Sequence, residues 1–229
     1  MAVTRNPGVC TTKGFCLSGA TLKYASPWDS FNARTASSKS TAISVRGARV
    51  RTEPSGSVVF WLVGGAVAIR SSTLDLKGGD LYIGGAVQAC GSNLCSQLNV
   101  GAVASDFNGL RDGILLAAST VDVGSGSITM NGHSVAEQGD AAGIALIDGS
   151  TLRARSIRLR GSVDSDGDYS RTGVKLAGGL VAATETLRVE GEAYSGHYRD
   201  NSLATGVDVL GELRVGVADQ PDEASMTIS

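Results

Sequence analysis

Gly113-Ile114-Leu115-Leu116-Ala117-Ala118-Ser119-Thr120-Val121-Asp122-Val123-Gly124-Ser125-Gly126-Ser127-Ile128-Thr129-Met130 is the stretch that decides the fold. Its apolar residues fall in pairs, Ile114/Leu116, Val121/Val123 and Ile128/Met130, each pair seven positions after the one before. Spacing of two within a pair sends both side chains to one face of an extended strand and the intervening residue to the other. A helix would need apolar residues at i, i+3, i+4 and i+7, which this stretch does not offer. The pattern recurs upstream as Val67/Ile69, Leu74/Leu76 and Leu81/Ile83. Downstream it returns as Ile144/Leu146, Leu152/Ala154 and Ile157/Leu159, then as Val174/Leu176, Leu180/Ala182 and Leu187/Val189. Gly206-Val207-Asp208-Val209 opens another copy. The first apolar positions, 67, 114, 144, 174 and 207, are separated by 47, 30, 30 and 33 residues.

Three short strands per repeat, joined by tight bends, describe one coil of an all-β solenoid, a right-handed parallel β-helix. Gly and Ser at the joints suit sharp corners. A β-sandwich fits less well, because seven-residue spacing leaves no room for hairpin registers. The β-helix is expected over 41–229, with Ile43/Val45 and Val58/Phe60 marking a further coil. Residues 1–40 alternate weakly and are read as an irregular coil or cap. The step of 47 holds either an insertion or a poorly patterned coil around Leu98/Val100. Extended loops are expected at 86–112, 132–142, 161–172 and 191–205, inserted at one corner of successive coils. Met226-Thr227-Ile228 is strand-like without a polar cap, which leads us to expect that the native chain continues past Ser229.

Composition narrows the function. The 229 residues include 31 Gly and only 4 Pro, far from a helical bundle and equally far from collagen. At 42% hydrophobic the chain can bury a core. A net charge of −2 argues against nucleic acid as an obligate partner, since phosphate binding wants a clear excess of Lys and Arg. No apolar run is long enough for a transmembrane helix, and Met1-Ala2-Val3-Thr4-Arg5 lacks the apolar region of a signal peptide. Cys10 and Cys16 lie six positions apart, Cys90 and Cys95 five. Neither pair has zinc or thioredoxin spacing, so two local disulfides formed in an oxidising compartment are one reading and four free thiols the other.

Gly143-Ile-Ala-Leu-Ile-Asp-Gly-Ser-Thr-Leu-Arg-Ala-Arg-Ser-Ile-Arg-Leu-Arg-Gly161 and Gly173-Val-Lys-Leu-Ala-Gly-Gly-Leu-Val-Ala-Ala-Thr-Glu-Thr-Leu-Arg-Val-Glu-Gly191 resemble the repeats of filamentous-haemagglutinin-like exoproteins. The resemblance covers roughly residues 65–215. It implies a β-helical passenger of two-partner secretion, exported through an outer-membrane transporter to the bacterial surface or medium. Members of that family include adhesins and the stalks of contact-dependent growth inhibition. The family's secretion-domain motifs are missing, and Asn6-Pro7-Gly8 is not one of them, so an internal segment is implied.

For function, three loop tyrosines stand out. Tyr169, Tyr194 and Tyr198 are joined by Arg171, His197 and Arg199 in the loops after the third strands, where solenoids tend to place binding surfaces. They read as a contact surface for a cell-surface receptor or glycan, or as ordinary polar loops. Arg153, Arg155, Arg158, Arg160 and Arg188 fall on outward positions and are expected to stack as a basic ladder, suited to anionic sugars or simply solvated and neutralised by nearby acids. Asp164, Asp166 and Asp168 offer three carboxylates in five residues, a weak calcium candidate or an acidic turn. The outward column of the first strands is expected to be Ala68, Leu115, Ala145, Lys175 and Asp208, and that of the second to run Asp75, Asp122, Arg153 and Arg155, then Val181. Asp75 and Asp122 are separated by the irregular region, a poor dyad, and no nucleophile elbow, P-loop or zincin motif occurs. The sequence therefore reads as a non-enzymatic, monomeric adhesin segment without a cofactor. A carbohydrate-active β-helix enzyme or tailspike-like depolymerase and a purely structural stalk are the alternatives.

Overall fold

The computed structural model describes residues 2–4, 14–19, 21–24, 31–34, 42–52, 59–63, 65–84, 102–105, 110–165, 169–195, 203–216 and 224–229. Every regular element among them is a strand. The chain is all-β, and its strands stack in parallel. A first column runs through Gly14–Ser18, Ala42–Arg46, Ala66–Arg70 and Ile114–Ala117. It continues into the long strands Ala141–Ser165 and Arg171–Ser195 and then Ala204–Val209. Its register is the one the repeats imply, Val67 beside Ile114, then Ile144, Val174 and Val207. The second column passes through Thr21–Tyr24, Arg49–Thr52, Thr73–Asp75, Thr120–Asp122 and the middle of both long strands to Glu212–Val215. The third passes through Phe31–Arg34, Val59–Val63, Asp80–Gly84, Ser127–Ser134 and the later part of both long strands to Ser225–Ile228. One strand runs against the rest: Ala2–Thr4 is antiparallel to Thr21–Tyr24.

Between the columns lies a core of β-branched and leucine side chains. Ile69, Leu74, Leu76, Leu81, Ile114 and Leu116 are fully buried within it. Each such aliphatic side chain withdrawn from water contributes about 1.5–3 kcal/mol before chain entropy is counted. The bend between first and second columns is held by stacked serines. Ser72 Oγ accepts from Ala48 N, Ser119 Oγ from Ser72 N, and Ser150 Oγ from Ser119 N, at 3.1, 3.2 and 3.3 Å. All three serines are buried. Their oxygens serve as acceptors for backbone N–H groups at the corner.

The stack departs from the repeat pattern in four ways. Val181 and Ala183 pair with Leu152 and Ala154 and are buried, whereas the expected inward pair, Leu180 and Ala182, is only partly so. The register shifts between Ile147 and Ser150, where Asp148-Gly149 on one strand faces Gly178 alone on the next, so Val181 turns in. Second, the connecting stretches 86–112, 132–142, 161–172 and 191–205 all contain paired strand: 102–104 pairs with 132–134, which pairs with 161–163, and 161–165 pairs with 191–195. Third, Ala68, Leu115 and Ala145 face away from the main core yet are buried, in a satellite cluster with Ala104 and Leu110. The segment bearing Ala104 and Leu110 lies over the first column there. Fourth, the step of 47 separates direct neighbours, since Ile114 pairs with Val67.

Gly132, Gly161 and Gly191 follow the third column, and Gly113, Gly143, Gly173 and Gly206 precede the first. The two glycine series meet backbone to backbone. A Cβ on Gly161 would run into the Gly173 carbonyl, and one on Gly191 into that of Gly206. This pinch closes the main core on one side. Beyond it the chain encloses a smaller core of Ala136, Ala141 and Val163, which we call the side lobe.

Candidate functional site

The side lobe is built from strand ends. Residues 132–134, 161–165 and 191–195 form one wall, and 141–142, 171–172 and 204–205 the other. Small residues make the walls because the pinch brings them close. Arg171, neighbour of Ala141 and Ala204 in the ladder, is the large residue fully buried among them. Its Nη1 donates to Gly139 O at 2.7 Å and its Nη2 to Glu137 O at 3.1 Å. Its guanidinium carbon sits 5.9 Å from the centre of the Tyr169 ring, within the range of a cation–π contact. A buried guanidinium needs partners for its donors, and the Gly139 and Glu137 carbonyls supply two of them.

That placement corrects the reading of Arg171 as a surface contact. It braces the 137–139 loop from inside. Neighbouring bonds tie the same region together: Asp140 Oδ1 accepts from Ser170 N at 3.1 Å, and Ser134 Oγ donates to Arg111 O at 2.6 Å. His133 Nδ1 lies 2.9 Å from Ser162 Oγ on the adjoining strand. The braced lobe presents Tyr169, 48% exposed, Tyr194, 62% exposed, and Leu203, 65% exposed. Tyr194 pairs with Asp164, whose side chain is exposed. His197, Tyr198, Arg199, Asp166 and Asp168 lie outside the described residues. So do Cys10, Cys90 and Cys95, and with them both expected disulfides; Cys16 belongs to the strand Gly14–Ser18.

At the edge of the lobe Asp112 accepts from Ala142 N at 3.0 Å. Burial pushes its carboxyl up to about 6, against the opposing pull of the Ala142 amide, Lys175, Arg70 and Arg111. The sequence offered no signal for it, because nothing local distinguishes Asp112 from a solvated turn residue.

The five arginines of the basic ladder divide among separate positions. Arg158 and Arg188 are direct neighbours in the third column. Arg160 pairs with Asn131 and Glu190. Arg153 belongs to the second column, beside Asp122, while Arg155 sits at a corner, 3.8 Å from Glu185. Glu190 takes Arg188 Nε at 2.9 Å and Arg158 Nη2 at 3.2 Å, so one acid serves two guanidiniums.

Asp75 and Asp122, expected to be apart, are stacked neighbours, because Thr73–Asp75 pairs directly with Thr120–Asp122. Lys77 Nζ lies 2.9 Å and Arg51 Nε 3.9 Å from Asp75 Oδ2. Among the described residues no group of three His, Cys, Asp or Glu is placed to hold a metal ion. No protein-family model, no curated protein and no solved structure matches the chain.

Proposed function

We propose that this chain is a segment of a secreted bacterial surface exoprotein, resembling filamentous haemagglutinin, whose parallel strands wind as a right-handed β-helix. In this reading an outer-membrane transporter exports the full protein. The segment acts without chemistry, docking its side lobe on a receptor or glycan of a target cell. The observation that carries the proposal is the contrast within the lobe. Arg171 is fully buried and fixes the 137–139 backbone, while Tyr169 and Tyr194 project from the same lobe into solvent. Aromatic side chains held on a pre-ordered support are what binding surfaces favour, because little entropy remains to be lost on contact. Tyr194→Ala and Tyr169→Ala are expected to weaken binding to target cells together by about tenfold or more. Unchanged binding by the folded double variant overturns the lobe as the contact surface and favours a structural stalk.

The stacked pair Asp75 and Asp122 favours a second reading, a carbohydrate-active enzyme, since paired carboxylates are the machinery of glycoside cleavage. Release of reducing ends from an acidic polysaccharide, lost in Asp122→Asn, would establish that reading over the adhesin.

A further inference from the structure

Outward side chains of the third column form parallel rows along the stack. One row is Ser127, Ser156, Thr186 and Ser225. The next is Tyr82, Thr129, Arg158, Arg188 and Thr227. Together the serine, threonine and arginine positions line a groove of about 310 Å³. Its lining residues succeed one another along the stacking direction, so a hydroxyl stands at every step of roughly 4.8 Å, that of Ser127 already donating to Asp80 Oδ1.

Two arginines at adjacent ladder positions repel each other unless something between them compensates. Glu190 does so only in part, one carboxylate against two guanidiniums, and the side chains of Arg158 and Arg188 remain 50% and 55% exposed. By holding Arg188 Nε and Arg158 Nη2, Glu190 also fixes where the two planar groups lie. Where the two arginines meet, the groove sets two pre-ordered guanidiniums against one carboxylate, over a floor to which Ile128, Ile157 and Leu187 contribute, while at one end Asp80 Oδ1 accepts from Ser127. Between Ser127 and Thr186 its backbone amides and carbonyls are spent in the ladder, so a peptide strand finds no edge to extend there. A polymer carrying hydroxyls and regularly spaced carboxylates finds partners for both, because guanidinium matches carboxylate in a two-pronged fit.

We propose that this groove binds a linear, carboxylate-bearing polysaccharide, with Arg158 and Arg188 taking successive uronate carboxylates and the Ser156/Thr186 row taking ring hydroxyls. The sugar chain lies along the stack, one residue per ladder step, and its far end reaches Thr129. The site is separate from the side lobe and stands whether or not the lobe contacts a receptor.

The test is calorimetric titration of the whole chain with oligomers of galacturonate and of alginate, beside methyl-esterified galacturonate. At least one acidic oligomer is expected to bind, with the ester at least about tenfold weaker and added salt weakening the acid form. Arg158→Gln/Arg188→Gln is expected to weaken binding about tenfold or more, while Arg153→Gln in the neighbouring column changes it less than about twofold. Thr129→Arg extends the arginine row by one step and is expected to tighten binding about threefold or more. The proposal falls if neither acidic oligomer binds, or if the ester binds equally. It falls equally if Arg153→Gln costs as much as the double variant. Should the double variant fail to fold by circular dichroism, the absence of any gain in Thr129→Arg overturns it alone. Loss of cell binding in the tyrosine variants with uronate binding intact separates the two sites.

Discussion

Asp112 sits where a carboxylate is costly. It is withdrawn from water beneath the Ala142 amide, and the nearby cations Lys175, Arg70 and Arg111 only partly offset the lost hydration. The folded carboxyl, raised to about 6, therefore holds its proton at a pH where the unfolded chain, at 3.8, has released it. More protons bound in the native state means that stability falls as pH rises. The contribution is fully present below pH 4 and is lost through the window up to about 6. Asp112→Asn keeps an oxygen for Ala142 N and removes the ionisation. The stability of the natural chain relative to that variant is expected to drop by about 2–3 kcal/mol between pH 4 and 7, read from urea midpoints at several pH values. A constant difference across that range would mean that Asp112 is hydrated as in the unfolded chain. Arg171 solves the same problem by another route, since its charge never titrates and two loop carbonyls solvate it in place of water.

At the scale of the strand, the pinch depends on glycine. Gly161→Ala places a methyl group against the Gly173 carbonyl, backbone against backbone, with no side chain able to swing aside. The expected cost is at least about 3 kcal/mol, seen as a fall of about 6–12 °C in the thermal midpoint. Gly149→Ala is the control: its added methyl meets nothing within 4 Å, although its φ of +72° is left-handed. It is expected to cost only about 1 kcal/mol. Equal effects would show that the close approach at 161 relaxes at little cost, since Gly161 has no left-handed φ to relieve. These glycines were visible in the sequence as corners, because each opens or closes an alternating stretch. That they face one another was not visible, since contact between Gly161 and Gly173 depends on how tightly the intervening chain is wound. The inward pairs from Val67/Ile69 to Leu187/Val189 were legible because burial and alternation are the same signal. That signal failed at Leu180, where Gly178 alone replaces Asp148-Gly149, and a shift of one residue exchanges inside for outside. Of the lobe, Tyr169 and Tyr194 stood out in the sequence as aromatics among polar residues, although Tyr194 lies at the end of a strand and not in a loop. The burial of Arg171 was not legible, because it comes from strand ends that alternation did not reveal.

On the scale of the whole molecule, each ladder step touches only the steps beside it, so stability should be transmitted locally along the stack. Leu159 has no exposed surface and lies between Met130 and Val189 in the third column. Leu159→Ala replaces a buried isobutyl group with methyl, at a cost of about 2–5 kcal/mol. Amide exchange around Ile128, Met130, Leu187 and Val189 is expected to speed up by about thirtyfold or more. Val45 reaches the same level only through Ile69 and Leu116, pair by pair, to Leu146. Its exchange is expected to change by less than about threefold. A uniform acceleration from Val45 to Val189 would instead mean that the stack opens as one cooperative unit. The distinction bears on function, because a stack of parallel strands that yields locally can keep its side lobe and its arginine groove independent. Strain introduced beneath one is then absorbed within a step or two, and the binding of a uronate oligomer to Leu159→Ala should suffer while the exposure of Tyr169 at the lobe does not change.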